Sequence, residues 1–122
     1  MERVTGIGGV FFRAKAPGEL VAWYAERLGV PVQEGGHVVF EESRDAHVWS
    51  PFPEDTDYWP PGKQAMVNFV VGDLDAMLAQ LRAGGVEVDE RVDELEGIGR
   101  FGWAVDPEGN RFELREPSGR PD

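Results

Sequence analysis

The chain has no cysteine among its 122 residues and only two histidines. The lack of cysteine excludes disulfide bonds, thiolate nucleophiles and zinc sites built from cysteine. It also suits a protein of a reducing compartment, so a cytoplasmic location is predicted. Two histidines in total leave few imidazoles for a transition-metal site.

Positive charge is also scarce, since 12 Lys and Arg stand against 23 Asp and Glu and give a formal net charge of −11. Such a chain is repelled by phosphate backbones, which argues against a nucleic-acid partner. No apolar run approaches the roughly 18 residues of a membrane helix. The first residues do not combine a basic start with an apolar core, so no signal peptide is predicted. We therefore expect neither a membrane partner nor export.

Acidic residues are dense in one short stretch, residues 87–96. One interpretation is a solvated edge strand and loop, whose charges prevent pairing with another sheet edge. The other is an acidic rim that steers a cationic ligand toward a cleft. The six acids are Glu87, Asp89, Glu90, Asp93, Glu94 and Glu96.

An internal repeat is the main feature that the sequence does have. Residues 10–12 precede a helix-like stretch ending in 28–32, and residues 67–69 precede another ending in 84–88. The offset between the copies is 57 at the strand (69 − 12) and 56 after the helix (86 − 30). Two such units predict a paired architecture. A cleft between paired units is a usual place for a small organic ligand.

Each half is predicted to be βαβββ, which makes the fold class α+β. In the first half, Pro17 opens a helix that Gly29 ends, with strands at 4–14, 30–33, 37–42 and 46–50. In the second half, Asp73 caps a helix over 74–82, with strands at 65–71, 86–92, 101–105 and 111–116. We predict one domain over 1–122, with module one at 4–51, a proline-rich linker at 51–64 and module two at 65–117.

The linker carries three large aromatic residues, Phe52, Tyr58 and Trp59. A merely flexible connection would not need them. They are expected to pack over either the edge of the core or a ligand cavity, and the sequence does not choose between these.

Four segments in order resemble the vicinal oxygen chelate superfamily, the group of glyoxalases, bleomycin resistance proteins and dioxygenases. The resemblance implies two βαβββ modules whose mixed sheet curls into a half-open barrel with the helices outside. It also implies a homodimer. The segments are 8–12, Trp23–Tyr24 with Leu28–Gly29, Asn68–Phe69 before 73–75, and 106–110 before Glu113–Leu114.

The resemblance further implies a divalent metal, but this chain matches the ligand pattern poorly. Glu113 matches the glutamate of the last strand, whereas the two first-strand positions are occupied by Met66 and Gly9. A catalytic metal needs about three protein ligands, so we predict no bound cofactor. The alternative is a divalent metal held by Glu113 and His47, which an offset of 66 (113 − 47) places as its counterpart in the repeat.

Strand alternation separates a helix-facing side from a cleft-facing side. Val10, Phe12, Val67 and Phe69 are apolar and are assigned to the helices. Arg13 is interpreted either as a ligand contact or as the partner of a carboxylate such as Glu113. The predicted site has Glu113 as the catalytic residue and, as ligand-binding residues, Phe11, Arg13, His47, Trp49, Met66, Asn68 and Trp103.

These observations predict a protein that binds a small organic molecule beside an incomplete metal site, with sequestration of that molecule as its role. The alternative is an enzyme, either a glyoxalase-type lyase or isomerase or a metal-dependent dioxygenase, that uses Glu113 as base or metal ligand. A third hypothesis is a non-catalytic module for dimerisation or partner binding. Whether the protein is an enzyme stays open at this point.

Overall fold

The computed structural model describes residues 1–42 and 45–118, and of Glu42, Asp45 and Ala46 only the backbone. The chain order alternates strands and two helices. The elements are β1 Val4–Ala14, α1 Pro17–Leu28, β2 Val38–Glu42, β3 Asp45–Pro53, β4 Ala65–Val71, α2 Leu74–Ala83, β5 Glu87–Val88, β6 Asp93–Leu95, β7 Gly99–Val105 and β8 Arg111–Pro117. Neither helix is long and apolar enough to cross a membrane, within the residues described.

The chain divides into two compact units. The first unit is Gly8–Met66, and the second unit is Met1–Ile7 together with the chain from Val67 onward. The second unit resumes at Val67, two residues after the predicted start of module two at residue 65. Residues 1–7 belong to the second unit, although the sequence prediction began module one at residue 4.

The first unit is built on a parallel pair, β1 with β3, to which β2 adds an antiparallel strand. Helix α1 begins with Pro17 in its first turn and ends at Gly29, which takes the left-handed conformation with φ 71°. Both ends were predicted from the sequence. The strand predicted at 30–33 is wrong in extent, because only an isolated bridge between Val32 and Val38 forms there.

The second unit repeats the plan with β4 parallel to β8, and β7 antiparallel to β8. Short strands β5 and β6 both pair with β7. Helix α2 is capped by Asp73, whose side chain accepts from the main-chain N–H of Ala76 at 3.0 Å, as predicted. The apolar face of α2 packs into the core of this unit, formed by Val71, Leu74, Met77, Leu78 and Leu114.

The predicted mixed sheet is confirmed by these pairings, and so is the α+β class. In each unit the strand that precedes the helix runs parallel to the last strand of that unit: β1 to β3, and β4 to β8. This geometry fixes the site, because it places residues from separate segments directly opposite one another across three adjacent strands.

The linker aromatics belong to the core of the first unit. Phe52 stacks on Tyr58 with ring centroids 5.8 Å apart, and lies 5.2 Å from Trp59. Trp59 is almost fully buried. Of the two interpretations open from the sequence, packing against the core describes these rings.

Candidate functional site

Three polar or hydrogen-bonding side chains form a row across the sheet of the second unit. Asn68 in β4 and Trp103 in β7 are both register partners of Glu113 in β8. Nδ2 of Asn68 donates to Oε1 of Glu113 at 2.7 Å, and Nε1 of Trp103 donates to Oε2 at 2.9 Å. We call these three residues the polar row.

The polar row is buried, with Asn68 and Glu113 each 3% exposed and Trp103 1% exposed. Phe69, Phe112 and Leu114 pack on the side of α2. Because side chains alternate along a strand, Glu113 points away from that core. The sequence prediction that Glu113 and Asn68 share the face opposite the helix agrees with this geometry.

Two arginines flank the Trp103 ring. The guanidinium carbons of Arg91 and Arg111 lie 5.1 Å and 5.3 Å from its centroid, within the range of a cation–π interaction. Strand alternation indicates only Arg111 as a neighbour of this row, since Arg111 shares the strand face of Glu113. Arg91 lies in a loop, where alternation does not apply.

Aspartates of the acidic stretch hold these arginines in place. Arg111 lies 3.3 Å from Asp89, and Arg91 lies 2.6 Å from Asp93. The main-chain N–H of Arg91 lowers the pKa of Asp89, with a further contribution from Arg111. The Arg91 guanidinium likewise lowers the pKa of Asp93. Part of the acidic stretch is therefore neutralised locally, while Glu87, Glu90, Glu94 and Glu96 are exposed.

The carboxamide oxygen of Asn68 is the site's unusual feature. It is buried, and among residues 1–42 and 45–118 no donor reaches it. Buried polar atoms in folded proteins nearly always have a partner. This oxygen therefore has acceptor capacity that the described residues do not use.

Arg13, predicted as a ligand contact, is engaged elsewhere. Its Nε donates to the carbonyl of Lys63, and its two terminal nitrogens donate to four more main-chain carbonyls at 2.8–3.0 Å. A guanidinium has five N–H donors, so all of them are used. We reassign Arg13 to holding the linker. The four other acceptors are the carbonyls of Glu54, Thr56, Trp59 and Pro60.

The structure corrects the predicted placement of Trp49 and His47. Trp49 packs on Phe12 and on Tyr24 of α1, with ring centroids 4.9 Å and 4.6 Å apart. It therefore belongs to the helix-facing side of the first unit, and His47, two residues away on the same strand, shares that side. The prediction that both share the face of Phe11 is wrong.

The wrong face was predicted because the last strands of the two repeats were aligned at the wrong offset. Asn68 corresponds to Phe11 at the repeat offset of 57, and their parallel partners are Glu113 and Ser50. Ser50 is thus the counterpart of Glu113, at an offset of 63 (113 − 50), not His47 at 66. An odd shift of three residues moves side chains to the opposite face.

Phe11 and Met66 keep the placement that alternation assigned. Phe11 is the register partner of Ser50 and packs 5.3 Å from Phe52. Met66 is buried, at 1% exposure. Their roles as ligand walls stay predictions, as do the roles of Asn68, Trp103 and Glu113.

The donor set does not fit a divalent metal. Within the described residues no group of three or more His, Cys, Asp or Glu could hold a metal ion. Gly9 occupies a position from which the resemblance implies a ligand, yet a Cβ built there would lie 2.9 Å from the carbonyl oxygen of Val48. A ligating side chain has no room at that position. Glu113 is already bound on both oxygens by neutral N–H donors.

Two cavities lie within the first unit. One, of about 650 Å³, runs along α1 and includes Lys15, Trp23 and Tyr24 in its lining. Another, of about 290 Å³, lies at the start of α1 and includes His37 and Ser50. Both are lined mainly by apolar atoms, and the smaller one adjoins the counterpart positions of the polar row.

The fold and this row define an α+β protein with a paired-module sheet and a buried, hydrogen-bonded carboxylate. Residues 9–115 match the glyoxalase-like domain family. The chain belongs to that family, and the recognition made from the sequence is confirmed. No curated protein matches the chain.

Solved structures show the same fold. Methylmalonyl-CoA epimerase from Mycobacterium tuberculosis is 23% identical, with 95% of this chain and 90% of that one covered and a TM-score of 0.65. A Streptomyces coelicolor methylmalonyl-CoA epimerase variant in complex with 2-nitronate-propionyl-CoA is 17% identical, with 96% and 100% covered and a TM-score of 0.73.

A third similar structure has a different description. It is the NAD-dependent benzaldehyde dehydrogenase from Legionella pneumophila, 15% identical, with 88% of this chain and 96% of that one covered and a TM-score of 0.60. At these identities the likenesses show the fold alone, the two-module α+β arrangement that the sequence predicted. They do not transfer a reaction.

Proposed function

We propose that this protein binds a small organic molecule at the polar row, and that it does so without a resident metal. The observation that carries the proposal is the buried Glu113 carboxylate, held on both oxygens by Asn68 and Trp103. Burying a carboxylate is costly even when it is hydrogen-bonded. A protein retains such a group mainly where function requires it.

The repeat supplies an internal control for this argument. At the counterpart positions the first unit has Phe11 instead of Asn68 and Ser50 instead of Glu113, in the same parallel register. The strand arrangement therefore forms without a buried carboxylate–amide pair. Since the architecture does not require the pair, its presence in the second unit supports a role in recognising a ligand.

Isomerase chemistry is the second candidate, and one observation favours it. Glu113 is fixed in position by neutral donors, as a general base acting on a carbon acid must be. Proteins with this fold include methylmalonyl-CoA epimerases. In such a role Glu113 would take a proton from the carbon acid, with Asn68 and Trp103 holding the carboxylate oriented.

A thermal-shift screen with a matched pair of variants tests the binding proposal. Compounds that raise the melting temperature of the wild type should lose that effect in Glu113→Gln, which keeps the shape but removes the charge. The same compounds should still raise the melting temperature of Glu87→Gln, because the Glu87 side chain is exposed on β5. Compounds that stabilise all three proteins equally bind elsewhere, and the assignment to the polar row would then be withdrawn.

Deuterium incorporation separates the two candidates. Methylmalonyl-CoA is incubated with the protein in D₂O containing EDTA, and the mass of the recovered thioester is followed. Gain of one deuterium that is lost in Glu113→Gln identifies a metal-independent proton-transfer enzyme. Binding without exchange leaves sequestration of a ligand as the function.

The expected homodimer and cytoplasmic location stay part of the proposal. Sedimentation equilibrium of the purified protein gives the oligomeric state. A value for a single chain across micromolar concentrations would remove the dimer from the proposed function without affecting the site.

A further inference from the structure

We infer that the ligand at the polar row presents a hydrogen-bond donor, an N–H or O–H group, to Oδ1 of Asn68. The inference rests on the proposed function, because it concerns the ligand of the same site. It narrows that ligand to a chemical class: compounds with an amide N–H, a hydroxyl or an ammonium group at the point that meets Asn68.

The orientation of the Asn68 amide follows from its partner. Nδ2 donates to Oε1 of Glu113 at 2.7 Å. Turning the amide over would place Oδ1 at that distance from a carboxylate oxygen, so two acceptors would face each other. Because both Glu113 oxygens accept hydrogen bonds, from Asn68 and Trp103, Oδ1 points away from the carboxylate.

That oxygen is left without a donor inside the protein. It is buried, and no group in the part of the chain that the structure describes donates to it. Asn68 as a whole is 3% exposed. A buried carbonyl oxygen without a donor destabilises the fold, so its partner is expected to come from outside the chain.

The partner's chemistry follows from the acceptor's. A carboxylate, a phosphate oxygen or a ketone would place a second acceptor against Oδ1 and be disfavoured there. An N–H or O–H group satisfies it. At longer range the net charge of −11 favours a cation over an anion, which makes an ammonium donor the charged form that this site would prefer.

Two pairs of aromatic probes test the inference by NMR. Benzamide and benzylammonium carry N–H donors, whereas N,N-dimethylbenzamide and benzyltrimethylammonium have the same ring and charge without them. Binding is followed by the Asn68 side-chain amide signals and the Trp103 indole N–H signal, assigned by its loss in Trp103→Phe. The donor-bearing member of each pair should bind about tenfold more tightly.

A matched pair of variants assigns the preference to Asn68. Asn68→Leu and Trp103→Phe each remove one N–H donor from Glu113, but only Asn68→Leu removes the acceptor Oδ1. The preference for donors should disappear in Asn68→Leu and persist in Trp103→Phe. The neutral and cationic pairs show whether the donor must also be charged.

Three outcomes overturn the inference while leaving the proposed function intact. Equal binding within each pair means that water satisfies Oδ1. A preference for the tertiary amide means that Oδ1 does not select a donor. A donor preference that survives in Asn68→Leu places its recognition elsewhere. If neither the probes nor any screened compound perturbs Trp103, the proposed function itself fails.

Discussion

Arg13 and Trp59 share one acceptor. Nε of Arg13 and Nε1 of Trp59 both donate to the carbonyl oxygen of Lys63, at 2.9 Å and 2.8 Å, and the Arg13 guanidinium lies 5.1 Å from the Trp59 ring centroid. Through the Lys63 carbonyl the linker is thus hydrogen-bonded both to Arg13 of β1 and to Trp59 within the linker. Five of the linker's carbonyls accept hydrogen bonds from this one arginine.

Replacing Arg13 should loosen the linker. Arg13→Lys keeps the charge but cannot reproduce five donors in a planar fork, and we expect a loss of about 2–4 kcal/mol in the free energy of unfolding. Urea denaturation measures it, and limited proteolysis should cut within residues 54–63. The control is Arg27→Lys, since Arg27 forms an exposed ion pair with Glu26 at 3.9 Å. This substitution should leave the free energy of unfolding nearly unchanged. Unchanged stability in Arg13→Lys would return Arg13 to the list of ligand contacts.

The hydrogen bond from Trp103 to Glu113 should contribute more to the free energy of unfolding than a hydrogen bond to a neutral acceptor does. Trp103→Phe and Trp59→Phe are a matched pair, because both indoles are almost fully buried and each donates one hydrogen bond, to a carboxylate and to a carbonyl respectively. We expect Trp103→Phe to cost about 1 kcal/mol more. Chemical denaturation of both variants decides it. Equal losses would mean that the carboxylate adds nothing to the stability of the row.

Removing the N-cap of α2 should destabilise the second unit. Asp73→Ala deletes the acceptor for the N–H of Ala76, and the expected loss in the free energy of unfolding is about 1 kcal/mol. The exposed Asp57, in the linker, provides the control as Asp57→Ala. Thermal denaturation should separate the two variants; indistinguishable melting temperatures would show that the cap is dispensable, with Glu2 and Glu116 supporting the helix start.

Stability should fall on acidification. Hydrogen bonds from Arg100 lower the pKa of Asp75, and the contacts of Arg91 lower those of Asp89 and Asp93, all from 3.8. A carboxylate whose folded pKa is depressed contributes stability above its unfolded pKa and loses it as the pH falls through the folded value.

The loss is therefore expected below about pH 4. Urea midpoints between pH 7 and pH 2.5 measure it. Asp75→Asn should flatten the acid limb relative to Asp57→Asn, which should keep the wild-type slope. If the acid limbs of the two variants coincide, the pair of Asp75 with Arg100 does not contribute to the pH dependence.

A methyl group at Gly9 should be poorly tolerated. The nearest atom to a Cβ there is the main-chain oxygen of Val48, at 2.9 Å, so β1 and β3 would have to move apart. We expect Gly9→Ala to lower the free energy of unfolding by about 1–3 kcal/mol. Gly6→Ala, in the same strand with nothing within 4 Å, is the control. A neutral Gly9→Ala would show that the two strands separate easily.

Local signals predicted the helices well. Asp73 before an apolar stripe gave the start of α2, and Gly29 gave the end of α1, because capping and termination depend on neighbouring residues. Alternation also gave the correct face for Glu113, since β8 packs against α2 through Phe112 and Leu114.

Long-range register was harder to predict. The pairing of Phe11 with Ser50 and of Asn68 with Glu113 sets the offset of the last strands at 63, three residues less than the 66 assumed from the sequence. That odd difference reversed the predicted faces of His47 and Trp49. The five carbonyls around Arg13 come from linker residues with no periodic pattern, so no sequence signal could assign them.

The approach of Gly9 to Val48 also bears on how this protein could acquire new chemistry. Changing position 9 to histidine would not by itself supply a metal ligand, because the main chain of a neighbouring strand occupies the space that the side chain needs. Two strands would have to be re-spaced first. A route to a metal ligand at position 9 therefore begins with backbone changes in the first unit, and directed-evolution libraries confined to side chains would miss it.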